Sequence, residues 1–150
     1  MSTTMTRLDA GRDIVEAKDA KGITWAQLAK ALDRSLVWTT SALLGQQPLD
    51  ADQAQKVADM LGLGHEIVAA LCRPPVRGEQ AMDPTEPMTY RLREALQVYG
   101  TTMHELVREE FGDGIMSAID FTLDFERVPD PKGDRVRLVW TGKFLPYKVW

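Results

Sequence analysis

The chain has 150 residues, 44% of them hydrophobic and 27% charged, with a formal net charge of −4. That balance fits one compact soluble domain or two small ones, and it lacks the global basic footprint of a nucleic-acid binder. No apolar run approaches the roughly 20 residues of a membrane span. The opening MSTTMTRLDAGRD has no apolar centre of the kind a secretory leader needs, so a cytoplasmic location is expected. Cys72 is the one cysteine, which excludes an intrachain disulfide and a cysteine metal cluster. His65 and His104 lack a zinc-like spacing, and no metal site is expected.

Residues Thr6 to Lys21 read as a first helix, with Leu8, Ile14 and Val15 in a weak apolar stripe and Gly22 as its stop. Thr24 is an N-cap for the next, with Trp25, Leu28, Ala29 and Leu32 on one side. Ser35 caps a third that ends at Gly45. Pro48 and Asp50 introduce a fourth, with Ala54, Val57, Ala58 and Leu61 inward, and His65 to Leu71 form a short fifth. Cys72 follows this apolar run and reads as a small buried hydrophobe.

The second and third helices, with a brief turn at Asp33-Arg34, resemble a repressor-type helix-turn-helix. A DNA reader would need base-contacting side chains on the third helix. Leu36 to Leu44 supplies no Arg, Lys, Asn or Gln, the types that read base edges. The stretch Met1 to Cys72 holds seven basic against nine acidic residues, a poor grip on phosphates. Packing within an oligomer is the expected use of this bundle, and no nucleic-acid partner is expected.

Arg73 to Pro87 carries four of the eight prolines, namely Pro74, Pro75, Pro84 and Pro87. This composition suits an extended connection. The expected domains are residues 1–75, a linker over 76–87, and residues 88–150.

The second domain opens with Leu92, Ala95, Leu96 and Tyr99 on one helical face. Gly100 is read as its stop. Thr102 to Glu105 is read as a capping box for a second helix that ends at Gly112. Asp113-Gly114 makes a tight turn. A strand follows in which Ile119, Phe121, Leu123 and Phe125 alternate with Asp120, Thr122, Asp124 and Glu126. Ser117 has the parity of the apolar set, so its hydroxyl is expected inward and in need of a partner. Val128 to Asp134 is a loop. Val136, Leu138 and Trp140 mark a second strand, whose arginines can meet Asp124 or Glu126 across the hairpin. Thr141-Gly142 is read as a further turn, before a tail from Lys143 to Trp150. The fold class is α+β: a helical bundle, then a small helix-plus-antiparallel-strand domain. A two-stranded ribbon is marginal alone and exposes both edges, so an obligate dimer is expected.

Arg91 and Glu94 stand three residues apart, on one face of the helix. With an inward Ser117 they would make a small polar site suited to an anion. By spacing alone such a pair is more often a solvated surface contact worth at most about 1 kcal/mol.

The segments LQVYGTT, FGDGIMSAIDF and GKFLPYK, in this order and spacing, closely resemble the cyanase (cyanate hydratase) family. The resemblance is densest over Met88 to Phe121, with a helical region of the expected size before it. It departs at Leu92-Arg93, where aromatic residues would be expected, and at Val149-Trp150. The resemblance implies that Arg91, Glu94 and Ser117 are the catalytic residues. It implies decomposition of cyanate with bicarbonate as co-substrate and no metal or organic cofactor. It also implies a decamer of five dimers, with active sites between dimers. Two other classes stay open on the residues themselves. One is a helix-turn-helix regulator that binds a small anion. The other is a purely structural oligomer in which Arg91 and Glu94 form an interface ion pair.

Overall fold

The computed structural model describes residues 4–79 and 82–150. The chain divides into two compact units, Met1–Gln80 and Ala81–Trp150.

Among the described residues five helices build the first unit: α1 (Arg7–Ala20), α2 (Trp25–Leu32), α3 (Leu36–Leu43), α4 (Ala51–Leu61) and α5 (His65–Cys72). Their starts are set by side chains that satisfy otherwise unpaired backbone N–H groups. Thr6, Thr24 and Asp50 form reciprocal capping boxes with Asp9, Gln27 and Gln53, and Ser35 accepts from Trp38 N. The Thr6 hydroxyl and backbone N–H hold the Asp9 carboxyl below the usual carboxylate range. Asp33 ends α2 at φ 51, in the left-handed region that Asp tolerates better than most residues.

Ile14, Leu28, Leu43, Val57, Leu61, Ile67 and Leu71 are each 2% exposed or less. Each such burial is worth about 1.5–3 kcal/mol, so this unit holds a core of its own. Cys72 is half-buried and packs against that core. Arg7 crosses the bundle and donates to the carbonyls of Ala42, Gln47 and Ala70. Desolvation lowers its pKa, with the Arg73 charge as the second cause.

Thr39, on α3, is fully buried, and its Oγ1 has no hydrogen-bond partner. A buried hydroxyl without a partner costs on the order of 1 kcal/mol or more. Thr39→Val keeps the branched shape and removes that cost. It should stabilise the helical unit by about 1 kcal/mol and raise its melting temperature by a few degrees. Thermal unfolding followed by circular dichroism checks this. A lower melting temperature would mean that the hydroxyl has a partner.

The second unit comprises α6 (Pro87–Phe111), β1 (Gly114–Val128) and β2 (Arg135–Pro146), the two strands pairing antiparallel. It differs from the sequence expectation in three places. First, α6 is one helix of 25 residues, not two. Gly100 costs about 1 kcal/mol against Ala in a helix interior, but the apolar stripe stays in phase across it. Leu92, Leu96, Tyr99, Met103 and Leu106 follow at alternating spacings of four and three, the period of a continuous seam.

Second, β2 does not turn at Thr141-Gly142. Thr141 pairs with Thr122 and Gly142 with Phe121, and the strand runs on to Pro146 opposite Gly114. Third, the alternation of β1 is broken between Met116 and Phe121. Met116 pairs with Phe144 and Phe121 with Gly142, so the four residues Ser117 to Asp120 lie opposite Lys143 alone. Such a bulge resets which face each residue takes. Ile119 is accordingly 98% exposed instead of inward.

The cross-strand pairing expected of the arginines is present. Arg137 Nη1 lies 2.7 Å from Glu126 Oε1, although both side chains are exposed, which limits such a pair to about 1 kcal/mol or less.

Candidate active site

Helix α6 carries two of the three candidate residues. It is anchored at its start by Pro87 in the first turn, where a missing N–H costs nothing. Glu86 caps it, its carboxylate accepting from Thr89 N at 2.8 Å and Met88 N at 3.1 Å. Those two backbone bonds, Thr89 first, hold the Glu86 carboxyl below its ordinary range. Arg91 and Glu94 follow within two turns and share a face of the helix, as the spacing requires. Both are exposed. They form no ion pair with each other, unlike Glu105 and Arg108 on the same helix, which meet at 2.8 Å. The Arg91 guanidinium lies 5.5 Å from the centre of the Tyr90 ring, a contact that leaves its charge uncompensated.

The third candidate is held differently. Ser117 is 5% exposed and is the one buried residue among the described residues of the second unit. Its Oγ accepts from Ile119 N and from Asp120 N, each at 3.0 Å. A serine hydroxyl has two acceptor positions and one donor hydrogen. With both acceptor positions filled, what remains is the hydrogen. Ser117 is therefore built to donate. The sequence placed its hydroxyl inward by parity. The structure keeps it buried through the bulge and supplies its partners from the two following amides.

The turn that leads to Ser117 is fixed from both sides. Gly112 takes φ +95, a conformation that suits glycine. The Phe111 and Phe144 rings stack at 5.2 Å between centres, joining the end of α6 to β2. Tyr147 N donates to Asp113 O at 3.1 Å.

No hydrogen bond or ion pair joins any two of Arg91, Glu94 and Ser117 within the chain. For Arg91 and Ser117 the chain geometry explains this. Arg91 lies about 30 Å along the helix axis from Phe111 at 1.5 Å per residue, whereas Ser117 follows Phe111 by a reach of at most about 20 Å. Arg91 and Glu94 thus lie on an exposed helix face, unpaired with the buried Ser117. Helix α6 buries none of its residues, and Leu96, Tyr99, Met103, Leu106 and Phe111 are between 45% and 60% exposed. Among the described residues no cluster of His, Cys, Asp and Glu is arranged to hold a metal ion. No helix among them is long and apolar enough to cross a membrane.

Comparison with known proteins covers both units. Residues 7–75 match the family model described as cyanate hydratase, N-terminal. Residues 81–149 match the model described as cyanate lyase C-terminal domain. A cyanate hydratase of Mycolicibacterium vanbaalenii is 53% identical over 144 residues, covering 95% of this chain and 94% of its own length. That of Synechocystis is 50% identical over 137 residues, covering 91% and 92%. The crystal structure of cyanase from T. urticae is similar with a TM-score of 0.81 at 41% identity, over 91% of this chain and 96% of that one.

Proposed function

The chain belongs to the cyanase (cyanate hydratase) family, and on that footing we propose that it decomposes cyanate with bicarbonate at a site made of Arg91, Glu94 and Ser117. A bicarbonate oxygen attacks the cyanate carbon. The resulting dicarbamate loses carbon dioxide and leaves carbamate, with uptake of one proton. Carbamate then falls apart to ammonia and a second carbon dioxide, taking up another proton.

The physical task is to bring two anions together and to stabilise an adduct that concentrates their charge. Arg91 supplies a cation that no ion pair among the described residues neutralises. In a site closed to water, a preorganised positive group of this kind favours the charged adduct strongly. Ser117 donates its hydroxyl hydrogen to a substrate oxygen or nitrogen. It is not a nucleophile: its oxygen is engaged with two backbone amides, and no His or Lys base is bonded to it. Glu94 repels both substrates as a carboxylate, and its role is to orient the guanidinium or to handle a proton. Binding both substrates side by side removes much of the entropic barrier of a bimolecular step.

The observation that carries this reading is the buried Ser117 hydroxyl with only its donor hydrogen free. The bare α6 surface supports a shared site, because an assembly of copies can dry the site and bring Arg91 to Ser117. The assembly is a decamer of five dimers with sites between dimers, as the resemblance in the Met88 to Phe121 region implies. The protein works in the cytoplasm and needs no metal or organic cofactor.

The test is ammonia release from cyanate in buffer stripped of carbon dioxide, with and without added bicarbonate. Release should appear only with bicarbonate. Equal release without bicarbonate would overturn the proposed reaction.

A further inference from the structure

We propose that Gly142 is a positioning residue for Ser117, setting the place of its hydroxyl from across the hairpin. The inference rests on the catalytic assignment of Ser117 made above. Gly142 sits inside β2, where glycine weakens a strand by its entropy and its missing side chain. It does not occupy the positive-φ region, so backbone freedom is not the reason for it. Space is the reason. A Cβ built on Gly142 would overlap the backbone carbonyl oxygen of Ser117 and lie 2.5 Å from Met116 Cγ. The methionine side chain can swing away. The carbonyl cannot move without moving the serine.

The location gives that contact its meaning. Gly142 pairs with Phe121, the first residue after the bulge, and Phe144 pairs with Met116, the last before it. The bulge from Ser117 to Asp120 is therefore closed at one end by the bare backbone of Gly142. It is closed from inside by the bonds from Ile119 N and Asp120 N to Ser117 Oγ. These two restraints fix the serine in different ways. The amide bonds set the direction of its hydroxyl, and the close approach of Gly142 sets the depth of its backbone. A side chain at 142 would push the Ser117 carbonyl away from β2 and carry the hydroxyl with it. In such sites a displacement of about 1 Å costs on the order of 100-fold in rate.

The experiment is Gly142→Ala, with Ser117→Ala in parallel. Gly142→Ala should assemble like the parent, keep its KM for cyanate and lose about 100-fold in kcat. Hydrogen exchange should quicken at the amides of Ile119 and Asp120 and stay parental over residues 122–128. Parent-like kcat in an assembled Gly142→Ala protein would overturn the inference. So would a loss of kcat with exchange raised along the whole ladder, which marks a general structural role. If Gly142→Ala does not assemble, Met116→Ala/Gly142→Ala removes the methionine part of the overlap and is measured against Met116→Ala. Failure of that protein to assemble also overturns the inference. Parent-like turnover in Ser117→Ala is a separate outcome. It would remove Ser117 from the site and so reject the underlying assignment, whatever Gly142→Ala does.

Discussion

Arg91→Ala should lower turnover of cyanate by about 1,000-fold while leaving the assembly intact. The size follows from removing a preorganised charge from the place where negative charge builds up. Loss of a single neutral donor in such a site already costs about 100- to 1,000-fold, and Arg91 carries a full charge as well as donors. An intact assembly is expected because the proposal gives Arg91 to the substrates and not to packing between copies. Among the described residues Arg91 makes no ion pair, and its guanidinium lies near the neighbouring Tyr90 ring. Arg91→Lys keeps the charge but replaces a planar fork of five donors with a compact ammonium. It should also turn over slowly, at least about tenfold below the parent. Steady-state rates at saturating bicarbonate, with sedimentation velocity on the same samples, check both variants. Parent-like turnover in Arg91→Ala would take Arg91 out of the site. Dissociation of Arg91→Ala would instead make Arg91 and Glu94 a structural pair at an interface.

The second large effect concerns the α6 stripe. Leu96 lies midway along it and is 45% exposed. Leu92, Tyr99, Met103 and Leu106 flank it on the same side. If another copy covers this stripe, Leu96→Asp forfeits about 1 kcal/mol of further burial per copy, since Leu96 is already more than half covered. It also strands a carboxylate in an apolar seam, which costs several kcal/mol more. The assembly should break down, and bicarbonate-dependent ammonia release should vanish with it. The helical unit should remain folded, because its core lies wholly within residues Ala10 to Leu71. Sedimentation and circular dichroism separate these outcomes. A Leu96→Asp protein that sediments and turns over like the parent would show that α6 is not an assembly surface.

Much of the first unit was legible in the sequence, because its signals are local. The caps at Thr24 and Ser35, the Asp50 start and the apolar positions of α4 are each fixed by neighbours within a turn. The second unit was read less well where a distant partner decides. Gly100 looked like a stop because glycine disfavours helices, yet the stripe on either side keeps one phase through it. Thr141-Gly142 looked like a turn, although a glycine inside a strand pattern is also a mark of a bulge or a close backbone approach. The approach in question is the Ser117 carbonyl, twenty-five residues away in sequence. The same bulge defeated the parity argument for Ile119. Ser117 was still placed inward correctly, but its two amide partners come from the bulge geometry, which period-two alternation does not carry. Arg91 and Glu94 are proposed from spacing and resemblance together. Nothing in the spacing alone separates a catalytic arginine from a solvated one, and in a single chain both residues remain exposed.

A site completed only between copies can be tested directly by complementation. Arg91→Ala and Ser117→Ala chains, each inactive alone, are unfolded together, refolded as mixed assemblies and assayed for bicarbonate-dependent ammonia release. Activity should return, because some sites then draw Arg91 from one chain and Ser117 from another. Mixed assemblies shown to contain both chains, yet inactive, would contradict the account and place the whole site within one chain.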